Sequence, residues 1–209
     1  MGGSIEVVQK LLQIKAIKLD LKKPFVWSSG VKSPIYCDNR IIWSYPGIRS
    51  GIIKRLQELV EEPQNINAIV GVATAGIAPA AYLSYHMSLP LAYVRSGKKE
   101  HGMKNQIEGY LNGNEKVVVV EDLISTGASS IRACEALEEA NIHVSKVISI
   151  FSYDLRVAQS NFDKAGLRYE SLAGISDLYD TGLKSGFLKK SDINKLEKWK
   201  EELDKNYMK

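Results

Sequence analysis

Apolar positions along the chain change period several times, and each change marks an element. Between Ile5 and about Ile17 the spacing puts Ile5, Val8 and Leu12 on one face of a helix. Phe25 to Asn39 reads instead as two short extended pieces around the turn-forming cluster Ser28-Ser29-Gly30. Pro46 suits the first turn of a helix, which carries Ile48, Ile52, Leu56 and Leu59. From there short apolar runs alternate with helical stretches. Ala68–Ala73 is a buried strand, followed by Thr74-Ala75-Gly76 and an Ala-rich helix. Leu89–Arg95 is a second strand, and a Gly- and charge-rich loop runs on to Gly109. After the Asn112-Gly113 turn come a valine strand at Lys116–Val120, a helix over Ala128–Ala140 and a strand over Val144–Tyr153. Ser191–Met208 is an amphipathic helix with Ile193, Leu196, Trp199 and Leu203, read as a packing element only.

Continuous β-branched runs between helices predict an α/β fold, a mainly parallel twisted sheet flanked by helices on both faces. Such sheets gather their ligands at the C-terminal ends of the strands. No repeat, linker or low-complexity tract divides the chain, so residues 1–209 are expected to form one domain.

Composition narrows the class without naming a chemistry. Hydrophobic residues make up 44% and charged residues 25%, which fits a globular protein and excludes a disordered one. No apolar run approaches the roughly 20 residues that span a bilayer, so no membrane association is expected. The stretch from Met1 to Ser4 leads into mixed residues without the apolar core of a secretion signal. Cys37 and Cys134 share no metal-ligand spacing with the three histidines; free thiols in a reducing cytoplasm are the simpler expectation, with no protein-only metal site. The formal charge, 28 − 24 = +4, comes partly from the Lys-rich C-terminal stretch and gives little support to nucleic-acid binding. The basic cluster Lys98, Lys99, His101 and Lys104 stands apart, because Gly97, Gly102 and Gly109 surround it.

The most informative stretch is Val117 to Ser129. Four valines form a strand, Glu121 and Asp122 follow at its C-terminal end, and Leu123-Ile124-Ser125-Thr126-Gly127-Ala128-Ser129 leads into a helix. A helix N-terminus offers unpaired N–H groups and a positive dipole end, which suits a phosphate. Ser125, Thr126 and Ser129 add hydroxyls, while Gly127 and Ala128 let the backbone approach. The acids cannot hold phosphate themselves; they accept from sugar hydroxyls or sit beside a bridging metal. Solvated acids and a capping hydroxyl are the plainer alternative. Neither a Gly-x-Gly-x-x-Gly nor a Gly-x-x-x-x-Gly-Lys-Ser/Thr pattern occurs, so dinucleotide and nucleoside-triphosphate loops are without support.

Val117–Ser129 resembles the signature with which type I phosphoribosyltransferases bind phosphoribosyl pyrophosphate (PRPP). Glu121-Asp122-Leu123-Ile124-Ser125-Thr126-Gly127 is similar to the wording of the orotate branch. Phe25–Gly30 with Lys32–Arg40 resembles that branch's base-covering segment, and Arg95–Gly102 with Asn105–Gly109 its mobile catalytic loop. The resemblance implies the type I fold with a small N-terminal hood over about 18–42, transfer of ribose 5-phosphate from PRPP to orotate, and Mg²⁺ as cofactor. It implies that Arg95, Lys99 and His101 contact PRPP, that Lys99, His101 and Asp122 serve catalysis, and that Thr74 and Ala75 belong to a pyrophosphate loop. A homodimer sharing the catalytic loop between subunits is implied as well. For the base, the resemblance implies Ser125 and backbone groups near Tyr36 and Cys37. Charge adds Arg40 for the orotate carboxylate, with a surface salt bridge as the equal alternative; Tyr36 and Trp27 are equally plausible as packing aromatics. Ser28, Ala75, Ser96 and Leu155 stand where many members carry basic residues. A phosphoribosyltransferase for another base, or a nucleic-acid-binding regulator on the same fold, are the alternative readings.

Overall fold

The computed structural model describes residues 2–27, 30–97 and 106–208. In chain order its elements are α1 (Gly2–Gln13), β1 (Ile17–Leu19), β2 (Phe25–Val26), β3 (Lys32–Ser33), β4 (Ile35–Cys37), a 3-10 turn (Asn39–Ser44) and α2 (Pro46–Glu58). There follow β5 (Ala68–Val72), α3 (Ile77–Met87), β6 (Leu91–Val94), β7 (Ile107–Glu108), β8 (Lys116–Ile124) and α4 (Ala128–Glu138). The chain closes with β9 (His143–Ser152), α5 (Arg156–Lys164), β10 (Tyr169–Gly174), α6 (Ile175–Ser185) and α7 (Lys190–Tyr207).

Six strands form the central sheet in the order β10-β9-β8-β5-β6-β7, parallel except for the edge strand β7. This is the α/β architecture expected. All five residues of β5 are buried, as are Val117–Val120 of β8 and most of β9, so the middle of the sheet is covered on both faces. β5 leads through α3 to β6 on one side, whereas β8 leads through α4 to β9 on the other. Right-handed crossovers that leave in opposite directions put α3 and α4 on opposite faces. The crevice between the C-terminal ends of β5 and β8 is therefore the topological switch point, the usual ligand site of such sheets.

Several boundaries differ from the sequence reading. Helix α1 stops at Gln13, because Lys15 turns left-handed (φ 56°) and the Ala16 N–H returns to the Leu11 carbonyl at 2.9 Å. Ile17 thus begins a strand, and the buried face of α1 is Val7, Val8 and Leu11, with Ile5 and Leu12 only half-buried. Strand β8 does not stop at Val120 but runs to Ile124, so Glu121 and Asp122 lie within it rather than at its end. The Arg95–Gly109 loop returns to the sheet as β7, whose entry is fixed by the Arg95 N–H on the Gln106 carbonyl at 2.9 Å. Over the C-terminal edge of the sheet, the hood is built from two small antiparallel pairs, β1 with β4 and β2 with β3.

Candidate active site

Two loops meet at the switch point. After β5 the chain passes through a cis Ala73–Thr74 peptide into α3. A Cβ on Gly76 would stand 2.4 Å from the Val120 carbonyl oxygen and 2.7 Å from that of Val72, so only glycine lets this loop wedge between β5 and β8. Its own N–H is taken by the Val72 carbonyl at 2.9 Å. Thr74 is exposed and Ala75 half-buried.

After β8, Gly127 takes φ 77° at the start of α4, where a Cβ would lie 2.5 Å from the Phe162 ring. Phe162 is fully buried and stacked on Tyr169, so the turn rests on a fixed wall. The Thr126 carbonyl accepts from Asn161 Nδ2 at 3.0 Å, tying the turn to α5. The first α4 bond is made by the Ile131 N–H to the Gly127 carbonyl. The N–H groups of Ala128, Ser129 and Ser130 precede it in the first turn, where an anion finds donors and the positive dipole end.

Glu121 is buried, 5% exposed, and its carboxylate collects three donors: the Asp122 N–H at 3.1 Å, Ser129 Oγ at 3.2 Å and Ser130 Oγ at 3.4 Å. Burial, and then the charge of Asp122, push the Glu121 carboxyl well above the usual carboxylate range. Asp122 is raised as well, chiefly by burial, with the Arg40 charge acting in the opposite sense. Two neighbouring carboxyls held up in this way titrate as a pair. The Asp122 carbonyl accepts from Asn39 Nδ2 at 2.7 Å, and the fully buried Asn39 also receives the Cys37 thiol at 3.2 Å. That thiol is buried and raised well above its ordinary value by desolvation, which makes it a structural group rather than a nucleophile.

Asp122, Ser129 and Cys37 border a cleft of about 500 Å³ between the hood and the sheet. Of the positions singled out from sequence, Asp122, Leu123, Ser125, Ser129 and Ala75 line it from the sheet side, and Tyr36, Cys37 and Arg40 from the hood. Bonds at Asp38 N to Ala16 O and Asp20 N to Pro34 O make Tyr36 and Lys18 a hydrogen-bonded pair, so the Tyr36 main chain is spent on β1. The Cys37 N–H points the other way and donates to the Tyr153 hydroxyl at 3.2 Å. Arg40 is held by Asp38 at 2.6 Å and by the Tyr36 hydroxyl at 3.1 Å, the salt bridge left open by the sequence.

Other positions are not brought to the cleft. Ile124 lies in the core with its carbonyl taken by the Tyr153 N–H, and Glu121 is sealed behind Ser129 and Ser130. Thr126, Gly127 and Ala128 form the turn without lining the cleft, and Thr74 stays on the rim. Arg95 borders a small adjoining cavity, 3.5 Å from Glu108. Lys99 and His101 lie outside the described residues.

Two cleft residues outside the hood, Tyr153 and Arg132, escaped the sequence reading. Tyr153 extends β9 beside β8 and stacks on Trp27 at 4.8 Å, which itself lines the cleft. Arg132 follows Ser129 by three positions on α4 and borders both the cleft and the small cavity beside Arg95. That i, i+3 spacing from a suspected phosphate ligand was the available signal.

Comparison with known proteins agrees with this geometry. A phosphoribosyl transferase domain model matches residues 42–173. Orotate phosphoribosyltransferase of Staphylococcus epidermidis is 48% identical over 198 residues, covering 94% of this chain and 98% of its own. The chain belongs to the orotate phosphoribosyltransferase family. The Bacillus mycoides relative is 46% identical over 93% of each chain. Among solved structures, orotate phosphoribosyltransferase from Aeropyrum pernix is 30% identical with a TM-score of 0.74, covering 88% of this chain and 99% of that one. The fold alone is shared with UMP synthase of Leishmania donovani, at a TM-score of 0.80 and 24% identity, over 96% of this chain and 43% of that one.

Proposed function

We propose that the chain joins orotate to the anomeric carbon of PRPP, giving orotidine 5′-monophosphate and pyrophosphate. The carrying observation is the meeting of a helix start suited to a phosphate, the half-buried Asp122 backed by the buried Glu121, and an aromatic-walled hood around one cleft at the sheet's switch point. In this reading the first turn of α4 holds the 5′-phosphate, and Asp122, with Glu121 behind it, accepts from the ribose hydroxyls. The Thr74 and Ala75 N–H groups, with Arg95 and Arg132, face the leaving pyrophosphate. Departure of pyrophosphate with the bonding electron pair leaves oxocarbenium character on the ribose, and the base nitrogen closes the new bond while its proton passes to the departing pyrophosphate. A cation over the leaving group is worth most there, since one well-placed charge-stabilising donor typically contributes about 10²–10³ in rate. Lys99 and His101 are assigned to that task. The base lies under the hood, with Ser125 and the Cys37 edge beside it and the Arg40 guanidinium, braced by Asp38, toward its carboxylate.

Among the described residues no group of three or more His, Cys, Asp or Glu could cage a metal. The chemistry of the cleft fits Mg²⁺ held largely by substrate oxygens and water, with Asp122 as the carboxylate beside it and Glu121 sealed behind, as hard cations often bind. Bound there, it supplies charge neutralisation to the pyrophosphate. A homodimer is supported by an aromatic face on the 3-10 turn, α2 and α3, where Trp43 stacks on Tyr82, Arg49 lies over the Tyr82 ring and Tyr85 is 86% exposed. A single domain of residues 1–209, with the hood over about 18–42, is the organisation this reading assumes. A cytoplasmic setting suits two buried free thiols, Cys134 being pushed up to about 12. No described helix is long and apolar enough to cross a membrane.

The test is pyrophosphate release from PRPP with a panel of bases. Release with orotate and not with adenine, guanine or uracil is expected, as is a Lys99→Ala variant that loses turnover far more than PRPP binding. Preference for a purine, or full turnover in that variant, would remove the assignment.

A further inference from the structure

The hood hairpin cannot hold its own position. Strands β2 and β3 pair through only Phe25–Ser33 and Val26–Lys32, closed by the Trp27 N–H on the Val31 carbonyl and the Gly30 N–H on the Trp27 carbonyl. Isolated two-stranded hairpins are at best marginal in water, and this one exposes 65% of Val26. Yet Trp27 and Val26 line the cleft, so the hairpin must be fixed from outside.

The fixing comes from the far end of the chain. Trp199, in the middle of α7, donates its indole N–H to the Lys32 carbonyl at 3.0 Å. Its ring meets Trp27 edge-on at 5.7 Å and 84°, and Tyr153 edge-on at 6.0 Å and 82°. One side chain thus holds both arms of the hairpin, Trp27 on the outgoing side and Lys32 on the return. Helix α7 is itself anchored, because the buried Asp204 accepts from the Val157 N–H at 3.0 Å and from Arg156 at 3.2 Å, capping α5 just after Tyr153. The path from the sheet through Asp204 and Trp199 to the hood is continuous. Both α7 and the hairpin lie outside residues 42–173, the span matched by the family domain.

We propose that Trp199 is a positioning residue for the base: it sets the hood over the cleft, so that orotate affinity depends on the C-terminal helix. This rests on the orotate reading above. It differs from simple packing, because a packing role weakens the fold and both substrates alike. Among the described residues Trp199 bonds to Lys32 and meets the rings of Trp27 and Tyr153, none of which belongs to the turn at Gly127 or to the Thr74–Ala75 loop, so PRPP binding is insulated from it.

Steady-state kinetics with both substrates, beside thermal unfolding, tests this. Trp199→Leu loses the hydrogen bond and the ring edges; about a tenfold rise in the KM for orotate is expected, with the KM for PRPP within twofold. Trp199→Phe keeps the edges and loses only the bond to Lys32, so a rise of about threefold is expected, and it serves should the leucine variant fold poorly. Equal shifts in the two KM values, or a lowered melting temperature with both unchanged, would overturn the proposal. An unmodified protein that makes no orotidine 5′-monophosphate would instead remove the orotate reading on which it rests.

Discussion

Gly127→Ala isolates what the phosphate turn costs to build. The native φ of 77° is left-handed, and an L side chain there costs about 1–2 kcal/mol. The new Cβ would also stand 2.5 Å from Phe162 Cε2 and 3.0 Å from Cδ2, where carbon atoms prefer about 3.5–4.0 Å. The ring cannot swing away, being fully buried and stacked at 4.3 Å on Tyr169, so overpacking adds roughly 1–3 kcal/mol. The sum, about 2–5 kcal/mol, corresponds to a fall in melting temperature of roughly 4–20 °C for a chain of this size. Displacing the first turn of α4 by a fraction of an ångström should raise the KM for PRPP by at least about tenfold. Circular-dichroism melting and initial-rate kinetics read both quantities. The clash and the backbone contributions separate in a double-mutant cycle with Phe162→Leu, which alone costs about 1–1.5 kcal/mol. Combined, the two changes should cost less than their sum, since the smaller side chain relieves the contact and leaves only the left-handed penalty. Strictly additive losses, or an alanine variant as stable as the parent, would refute this account of the turn.

Two further outcomes are expected. Glu121 is raised by burial and by Asp122, so the folded state retains its proton where the unfolded chain has released it, and its cost to stability grows as pH rises from the free-glutamate range, about 4.3, through the elevated value. Glu121→Gln, which does not titrate, should therefore gain in melting temperature relative to the parent between pH 4.5 and pH 8; a difference that stays flat or reverses across that range contradicts the assignment. Arg132→Leu should raise the KM for PRPP by about tenfold while leaving the KM for orotate within twofold, and an effect confined to orotate would place this cation at the other end of the cleft.

The centre of the sheet was readable in the chain because β5, β8 and β9 are buried on both faces and must be written in unbroken apolar runs. Past Tyr153 that code fades. Strand β10 reads Tyr-Glu-Ser-Leu-Ala-Gly with its first half only partly buried, and α5 buries just Val157, Ala158 and Phe162. Strand β10 has no unbroken apolar run, and α5, although amphipathic, is only 9 residues long and mostly polar, so neither stands out before the sheet is assembled. The end of β8 was misjudged for a related reason: acids ordinarily stop a buried strand, but Glu121 pairs with Ser149 across the ladder and finds the hydroxyls of Ser129 and Ser130. Those partners belong to α4 and β9, and no local rule reveals them. The Gly127 turn into α4 was legible because its requirements are local, a glycine and hydroxyls at a helix start. Tyr153, Arg132 and the service of Trp199 to the hood are tertiary facts; α7 carries the spacing of a packing helix and does pack, through Leu196 and Leu203, while one position on it reaches across to Lys32.

The cluster of rings around Trp27 has an optical consequence. The chain holds three tryptophans, and two of them lie 5.7 Å apart, Trp27 on the cleft wall and Trp199 behind it. Indoles this close and nearly perpendicular share their excitations, so the near-ultraviolet dichroism and emission of the whole molecule are weighted toward one spot. Any tilt of the hairpin changes that coupling directly. The protein therefore carries its own unlabelled gauge of how the hood is seated, and Trp43, stacked on Tyr82 well apart from them in the chain, supplies the background against which it is read.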